Sequence, residues 1–170
     1  MTENPALDPN TNPAVAAIMA SGIEHEIREH GRAKSLREAA EMRGITPRQL
    51  VKSMVIKDSK GVYSIVLVPG DRVIAWAKLR KLLGVNKAAM PPQGEAEAVT
   101  RFARGTITPF GIPSALPVIA DELVESGPIS IGGGDHSVAF YLSGDDLLDH
   151  FGAIRFDITD PDPSFEESVA

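Results

Sequence analysis

Residues 51–68 constrain the fold most. Val51 to Lys57 and Val62 to Val68 are β-rich runs, and Asp58-Ser59-Lys60-Gly61 between them is a hairpin signal. A tight turn of this kind forces two neighbouring strands to run antiparallel. A doubly wound parallel sheet is therefore disfavoured, and no glycine-rich βαβ fingerprint occurs anywhere in the chain. Helical segments interleave with these and later strands. Asn12-Pro13 opens one at its first turn, Ser35-Leu36-Arg37-Glu38 is a capping box closed by Gly44, and Thr46-Pro47 starts a short turn. Asp71 reads as the cap of a helix running to Leu83, where Trp76, Leu79, Leu82 and Leu83 lie at helical spacing. Gly94 to Ala103 is helical again, and Ser143 caps a last helix, Asp145 to Phe151. Ile23 to Ile27, Pro117 to Asp121, Pro128 to Ile131, His136 to Leu142 and Ile154 to Ile158 read as strands. The class expected is α+β, with a curved, mostly antiparallel or mixed sheet.

At 170 residues the chain is one ordinary domain, expected over 12–158, with loose tails rich in Pro, Asn, Asp, Glu and Ser at 1–11 and 159–170. No apolar run approaches the roughly 20 residues that span a bilayer. The N-terminus lacks the basic start and apolar centre of a signal peptide. The chain has no cysteine, which excludes disulfides, a thiol nucleophile and a Cys-based metal centre. A cytoplasmic protein without membrane partners is expected.

The net charge of −6 argues against indiscriminate DNA or RNA binding, but the charge is unevenly distributed. Residues 1–120 hold 16 Lys and Arg against 11 Asp and Glu, whereas residues 121–170 hold one against 12. Arg72, Lys78, Arg80 and Lys81 cluster in the middle of the chain. They read either as a solvated helix face or as a local patch for a phosphate backbone, with the acidic last fifty residues facing away.

Three segments carry candidate chemistry. In the strand around Lys52, side chains alternate, so Lys52 shares a face with Met54 and Ile56. If those point inward, so does the lysine, and a pocket-lining ammonium needs an anionic or dipolar partner. The alternative is a lysine at the strand mouth, reaching water. Gly105-Thr106-Ile107-Thr108-Pro109-Phe110-Gly111 brackets a proline with glycines and can present backbone groups at fixed positions, or serve simply as a turn. Gly132-Gly133-Gly134 precedes a strand rather than a helix, so it is no phosphate loop; such glycines mark a bulge or a close approach. Asp135-His136-Ser137 cannot converge as a triad from consecutive positions. The four histidines show no metal-ligand spacing, so no metal and no cofactor are expected.

Taken together, the Lys52 strand with its preceding Ser35–Ala40 helix, the Gly105–Gly111 loop running on to Leu116-Pro117-Val118-Ile119-Ala120-Asp121, and Ile129 to Leu142 resemble the YbaK/prolyl-tRNA synthetase-associated domain family. The likeness covers roughly residues 14–156. It implies a mixed, barrel-like sheet flanked by helices, and an editing-type domain that hydrolyses the ester of mischarged aminoacyl-tRNA. The substrate implied is tRNA-Pro carrying Ala, Cys or another small residue, with prolyl-tRNA synthetase as the associated protein. It also implies the roles. Lys52, Gly105, Thr108 and Pro109 are catalytic, with Lys52 acting on the terminal phosphate or on the oxyanion. Thr106, Ile107, Phe110, Gly111, Gly133, Gly134 and His136 bind substrate, and a ribose hydroxyl stands in for the missing protein nucleophile. With no synthetase catalytic domain in the sequence, action in trans is expected. Two positions depart from the family pattern: Arg101 follows Thr100 where glycine is common, and Ser53 follows the lysine where relatives that prefer alanine carry Asn. The other reading of the same resemblance is a module that holds tRNA ends or an aminoacyl ligand without hydrolysis.

Overall fold

The structure, a computed structural model, describes residues 4–165. In chain order the elements are α1 (Pro13–Ala20), β1 (His25–Glu29), α2 (Leu36–Arg43), β2 (Leu50–Asp58), β3 (Tyr63–Pro69), β4 (Arg72–Ile74), α3 (Trp76–Leu83), β5 (Ala88–Ala89), α4 (Gln93–Thr100), β6 (Val118–Asp121), β7 (Pro128–Gly132), β8 (Val138–Ser143), α5 (Gly144–Phe151), β9 (Arg155–Phe156) and β10 (Thr159–Pro161). Eight strands form one mixed sheet in the order β1-β8-β7-β2-β3-β6-β9, with β5 also on β2, while β4 and β10 pair separately. The hairpin β2–β3 is antiparallel, and β2–β7, β3–β6 and β6–β9 are parallel. This is the expected α+β class with a mixed sheet. The strand path is open between β1 and β9 among the described residues, so it is not a closed barrel.

Local chemistry explains most boundaries. Asn12, Ser35 and Ser143 cap α1, α2 and α5 by accepting the N–H of Ala14, Glu38 and Asp146. Gly44 ends α2 in the left-handed conformation. Alternation along the strands then buries both faces of the sheet. Val51, Val55, Ile65, Leu67, Ile131 and Phe140 pack on one side with Ala14, Val15 and Ile18 of α1 and Leu147 and Leu148 of α5. Ile56, Val66 and Val68 pack on the other with Leu79 of α3 and with Ile158.

Four expectations need correction. Asp71 caps no helix: its carboxylate accepts from the Arg48 guanidinium at 2.9 Å, and β4 intervenes before α3 begins at Trp76. The strand expected from His136 starts at Val138, because Asp135 accepts the Ser137 N–H and hydroxyl in a tight turn. The strand expected over 154–158 is only β9, after which Ile158 drops into the core and the chain crosses to β4. The described parts of the expected tails are structured. Ala6 and Leu7 lie in a 3-10 turn packed on the core, and β10 pairs with β4. Residues 1–3 and 166–170 lie outside the described residues. Among the described residues no helix is long and apolar enough to cross a membrane.

Candidate functional site

The strands β2 and β7 pair through only two residues each, Leu50 with Ser130 and Val51 with Ile131. Beyond that point they part, because β7 turns back at Gly132 to Gly134 toward β8 while β2 continues. Lys52 is the first β2 residue past the fork, and Gly132 is its counterpart on β7. The start of the Gly105–Gly111 loop lies at this fork. A Cβ on Gly132 would stand 3.7 Å from the Ile107 carbonyl oxygen and 3.9 Å from that of Thr106. Two backbone acceptors therefore face a position that carries no side chain.

The first half of the loop lines the fork, and the second half anchors it. Gly105, at φ +86°, supports the His136 ring, whose Cε1 would lie 3.2 Å from a Cβ at that position. Thr106 closes a turn on the Ala103 carbonyl through both its N–H and its hydroxyl, at 3.0 and 2.7 Å. Gly105 and His136 are exposed and Ile107 half-buried, so these are reachable from solvent. Thr108 is fully buried, and its hydroxyl has no hydrogen-bond partner among the described residues; the Ser53 hydroxyl is in the same situation. Phe110 is core, edge-on to Phe140 at 5.8 Å and to Phe151 at 4.9 Å. Gly111 lies against the α1 backbone, where a Cβ would come within 2.5 Å of the Pro13 carbonyl oxygen.

Gly133 and Gly134, expected to admit substrate, are instead filled in by the protein itself. A Cβ on Gly133 would meet Val138 at 2.6 Å, and one on Gly134 would meet Asn12 at 2.6 Å. The Gly133 carbonyl also accepts from the Asn12 amide at 2.8 Å. Of the three, only Gly132 has room for a Cβ without a close contact, and only its strand register distinguishes it from its neighbours.

Lys52 shares its face with Met54 and Val68, as strand alternation requires. They line a hollow of about 200 Å³ together with Val73, Ile74, Trp76 and Met90. The ammonium donates to the Arg72 carbonyl at 2.6 Å. Burial pushes its pKa below the usual lysine value, against the opposing pull of Asp162 and Asp71. The lysine is thus partly desolvated and held by a dipole, with carboxylates near but none in ion-pair contact among the described residues.

The cationic cluster divides. Arg72 donates to the hydroxyl and the carbonyl of Thr159, and Lys78 pairs with Asp157 at 2.9 Å and Asp160 at 3.5 Å. The acidic C-terminal stretch, expected to face away, packs on these cations instead. Arg80 lines a broad groove with Lys57 and Lys87, and Lys81 is exposed. No group of three or more His, Asp or Glu that could hold a metal occurs among the described residues.

Known proteins share this architecture. A crystal structure described as a candidate trans-editing enzyme for prolyl-tRNA synthetase superposes with a TM-score of 0.83 at 24% identity, covering 94% of this chain and 99% of that one. The proline–tRNA ligase of Trichlorobacter lovleyi is 31% identical over 93 residues, 55% of this chain and 16% of the ligase. The chain spans only a quarter or less of the first such ligases it matches. EbsC of Enterococcus faecalis, named a candidate Cys-tRNA(Pro)/Cys-tRNA(Cys) deacylase, is 26% identical over 67% of this chain and 70% of its own length. The model of the aminoacyl-tRNA editing domain matches residues 30–150, a span that takes in Lys52, the whole Gly105–Gly111 loop and the β7–β8 turn, and the chain belongs to that family.

Proposed function

We propose that this protein is an aminoacyl-tRNA deacylase, acting in trans on mischarged tRNA, with tRNA-Pro carrying a small amino acid as its substrate. The observation that carries the reading is the fork: the Thr106 and Ile107 carbonyls face side-chain-free Gly132 where β2 leaves β7, while the Lys52 ammonium is held on the Arg72 carbonyl in the hollow of Met54, Val68 and Trp76. Two fixed carbonyls suit the α-ammonium of an aminoacyl group, which no uncharged tRNA carries. The naming of EbsC and the match to proline–tRNA ligases support the substrate class.

The chemistry asked of the site is modest. An aminoacyl ester is already activated, so orientation and electrostatic stabilisation supply most of what is needed. Water attacks the ester carbonyl carbon, the bond to the ribose oxygen breaks, and a proton from the water ends on that oxygen. The backbone of Gly105 to Ile107 holds the aminoacyl group, and Pro109 and Phe110 keep that backbone rigid. Lys52 contributes positive charge toward the terminal phosphate or the oxyanion. The biological rationale is that a binding pocket discriminates a missing methylene by only about 1–3 kcal/mol, so a second, hydrolytic pocket is needed.

The test is a deacylation assay of the purified protein on Ala-, Cys-, Ser- and Thr-charged tRNA. Faster ester loss on at least one is expected. Saturable binding of charged tRNA with an unchanged ester lifetime would replace the enzyme with a binding module.

A further inference from the structure

A second feature lies beside the fork, on α2 and the β7–β8 hairpin. Arg43 is the last residue of α2, and its guanidinium extends over the sheet to donate to the fully buried Ser130 hydroxyl at 3.1 Å. No carboxylate pairs with it among the described residues. Burial lowers its pKa from the usual arginine value. A guanidinium carries five N–H donors, and among the described residues the side-chain acceptor it meets is the Ser130 hydroxyl. The C-terminal end of the α2 dipole offsets only part of the cost of such burial.

Arg43 lines a small hollow of about 50 Å³ with His30, Met42, His136 and Ala139. The His30 ring nitrogen Nε2 meets the Tyr141 hydroxyl at 2.6 Å, and the Arg28 guanidinium lies 4.3 Å above the Tyr141 ring. Among the described residues no acidic side chain lines this hollow. The adjacent Asp135 is turned to Ser137, whose N–H and hydroxyl it accepts. The hollow is small and partly open, of a size that admits a carboxylate or phosphate group. Cationic and imidazole groups around a small, acid-free hollow make an anion site.

We propose that the hollow bounded by His30, Arg43 and His136 is an oxyanion subsite, with Arg43 as its principal ligand. It adjoins the fork on two sides: the His136 ring rests on Gly105, and Ala139 pairs with Gly132. The occupant is a carboxylate or phosphate on the molecule held at the fork. On the deacylase reading, on which this last step rests, that is either an acidic aminoacyl side chain or a phosphodiester near the tRNA 3′ end.

The test separates binding from turnover. Inorganic phosphate and acetate are titrated into the full chain while the His30 and His136 imidazole resonances are followed by NMR. Saturable shifts are expected in the wild type, weakened at least tenfold in Arg43→Leu and largely restored in Arg43→Lys. Absence of saturation with both anions, or equal affinity in Arg43→Leu, overturns the subsite. Because this readout needs no catalysis, it stands whether or not the protein deacylates tRNA. Kinetics then identify the source. Faster clearance of Asp-charged than Ala-charged tRNA, reversed in Arg43→Leu, identifies the side-chain carboxylate. A KM raised alike for every charged tRNA, with a salt slope shallower by about one phosphate contact, identifies the phosphodiester. Unchanged kinetics on all substrates removes the link to the substrate.

Discussion

The ammonium of Lys52 donates to the carbonyl of Arg72, while the side chain of Arg72 grips Thr159. The lysine beside the fork is thereby coupled to the separate two-stranded ribbon of β4 and β10, which also brings Asp162 close enough to act on it. A flexible side chain in a hollow lined mainly by Met54, Val68, Trp76 and Met90 is given one orientation by a backbone dipole.

Lys52→Ala is expected to lose at least 100-fold in kcat/KM while the domain stays folded. The native state loses one hydrogen bond but is relieved of a desolvated charge, so the two stability terms nearly cancel. Circular dichroism and a melting curve, run beside the deacylation assay, check both halves. Turnover near the wild-type level in a folded variant would leave the lysine a purely structural role.

The three consecutive glycines should behave differently. A Cβ on Gly132 makes ordinary contacts, 3.7 Å and beyond, so Gly132→Ala keeps the wild-type melting temperature but narrows the space facing the Thr106 and Ile107 carbonyls. Its kcat/KM should fall at least tenfold. Gly134→Ala combines a left-handed φ of +86° with contacts of 2.6 Å to Asn12 and 2.8 Å to Ala14, and should lose about 2–4 kcal/mol of stability. Chemical denaturation and kinetics on both variants test this division; equal melting temperatures for the pair would contradict it.

Arg101 holds φ at +67°, the one non-glycine residue with positive φ among the described residues, and its N–H closes α4 onto the Glu97 carbonyl at 2.7 Å. A left-handed helix end suits glycine, and here an arginine holds it. Arg101→Gly should therefore stabilise the domain by up to about 1 kcal/mol, the relief of left-handed strain less the greater backbone entropy glycine loses on folding. A higher urea midpoint at unchanged m-value is the expected result, and a lower one would show that the Arg101 side chain contributes more than its backbone costs.

What could be read from the sequence was what local chemistry decides. The β2–β3 hairpin, the Ser35 and Ser143 caps and the inward face of Lys52 each follow from a few adjacent residues. β4 could not be read this way, because three residues after Asp71 become a strand only by pairing with β10 far along the chain. The same separation hid the fate of Arg72 and Lys78, whose partners lie at 157–160. Gly132 could not be told from Gly133 and Gly134 without the β7 register. Arg43, a cation just before the helix-ending Gly44, reads as a complement to the α2 dipole; its burial against Ser130 depends on β7 lying beneath it.

The C-terminal acidic residues bear on how a polyanion is gripped. With Lys78 engaged by Asp157 and Asp160, and Arg72 held by hydrogen bonds to Thr159, Arg80 and Lys81 are the members of the four-cation patch left without an ion pair or a side-chain anchor of this kind among the described residues. Exposed pairs of this kind contribute little to stability, on the order of 0–1 kcal/mol, so breaking them should cost the fold little. Asp157→Asn with Asp160→Asn frees Lys78 and removes two negative charges within a Debye length, ~8 Å at physiological salt, of any phosphate docked there. The double variant should show a lower KM for charged tRNA and a steeper fall of kcat/KM with salt, at unchanged kcat. Arg80→Glu with Lys81→Glu should do the reverse. If neither pair of substitutions moves the salt slope, this face does not meet the tRNA backbone, and recognition rests on the acceptor end at the fork.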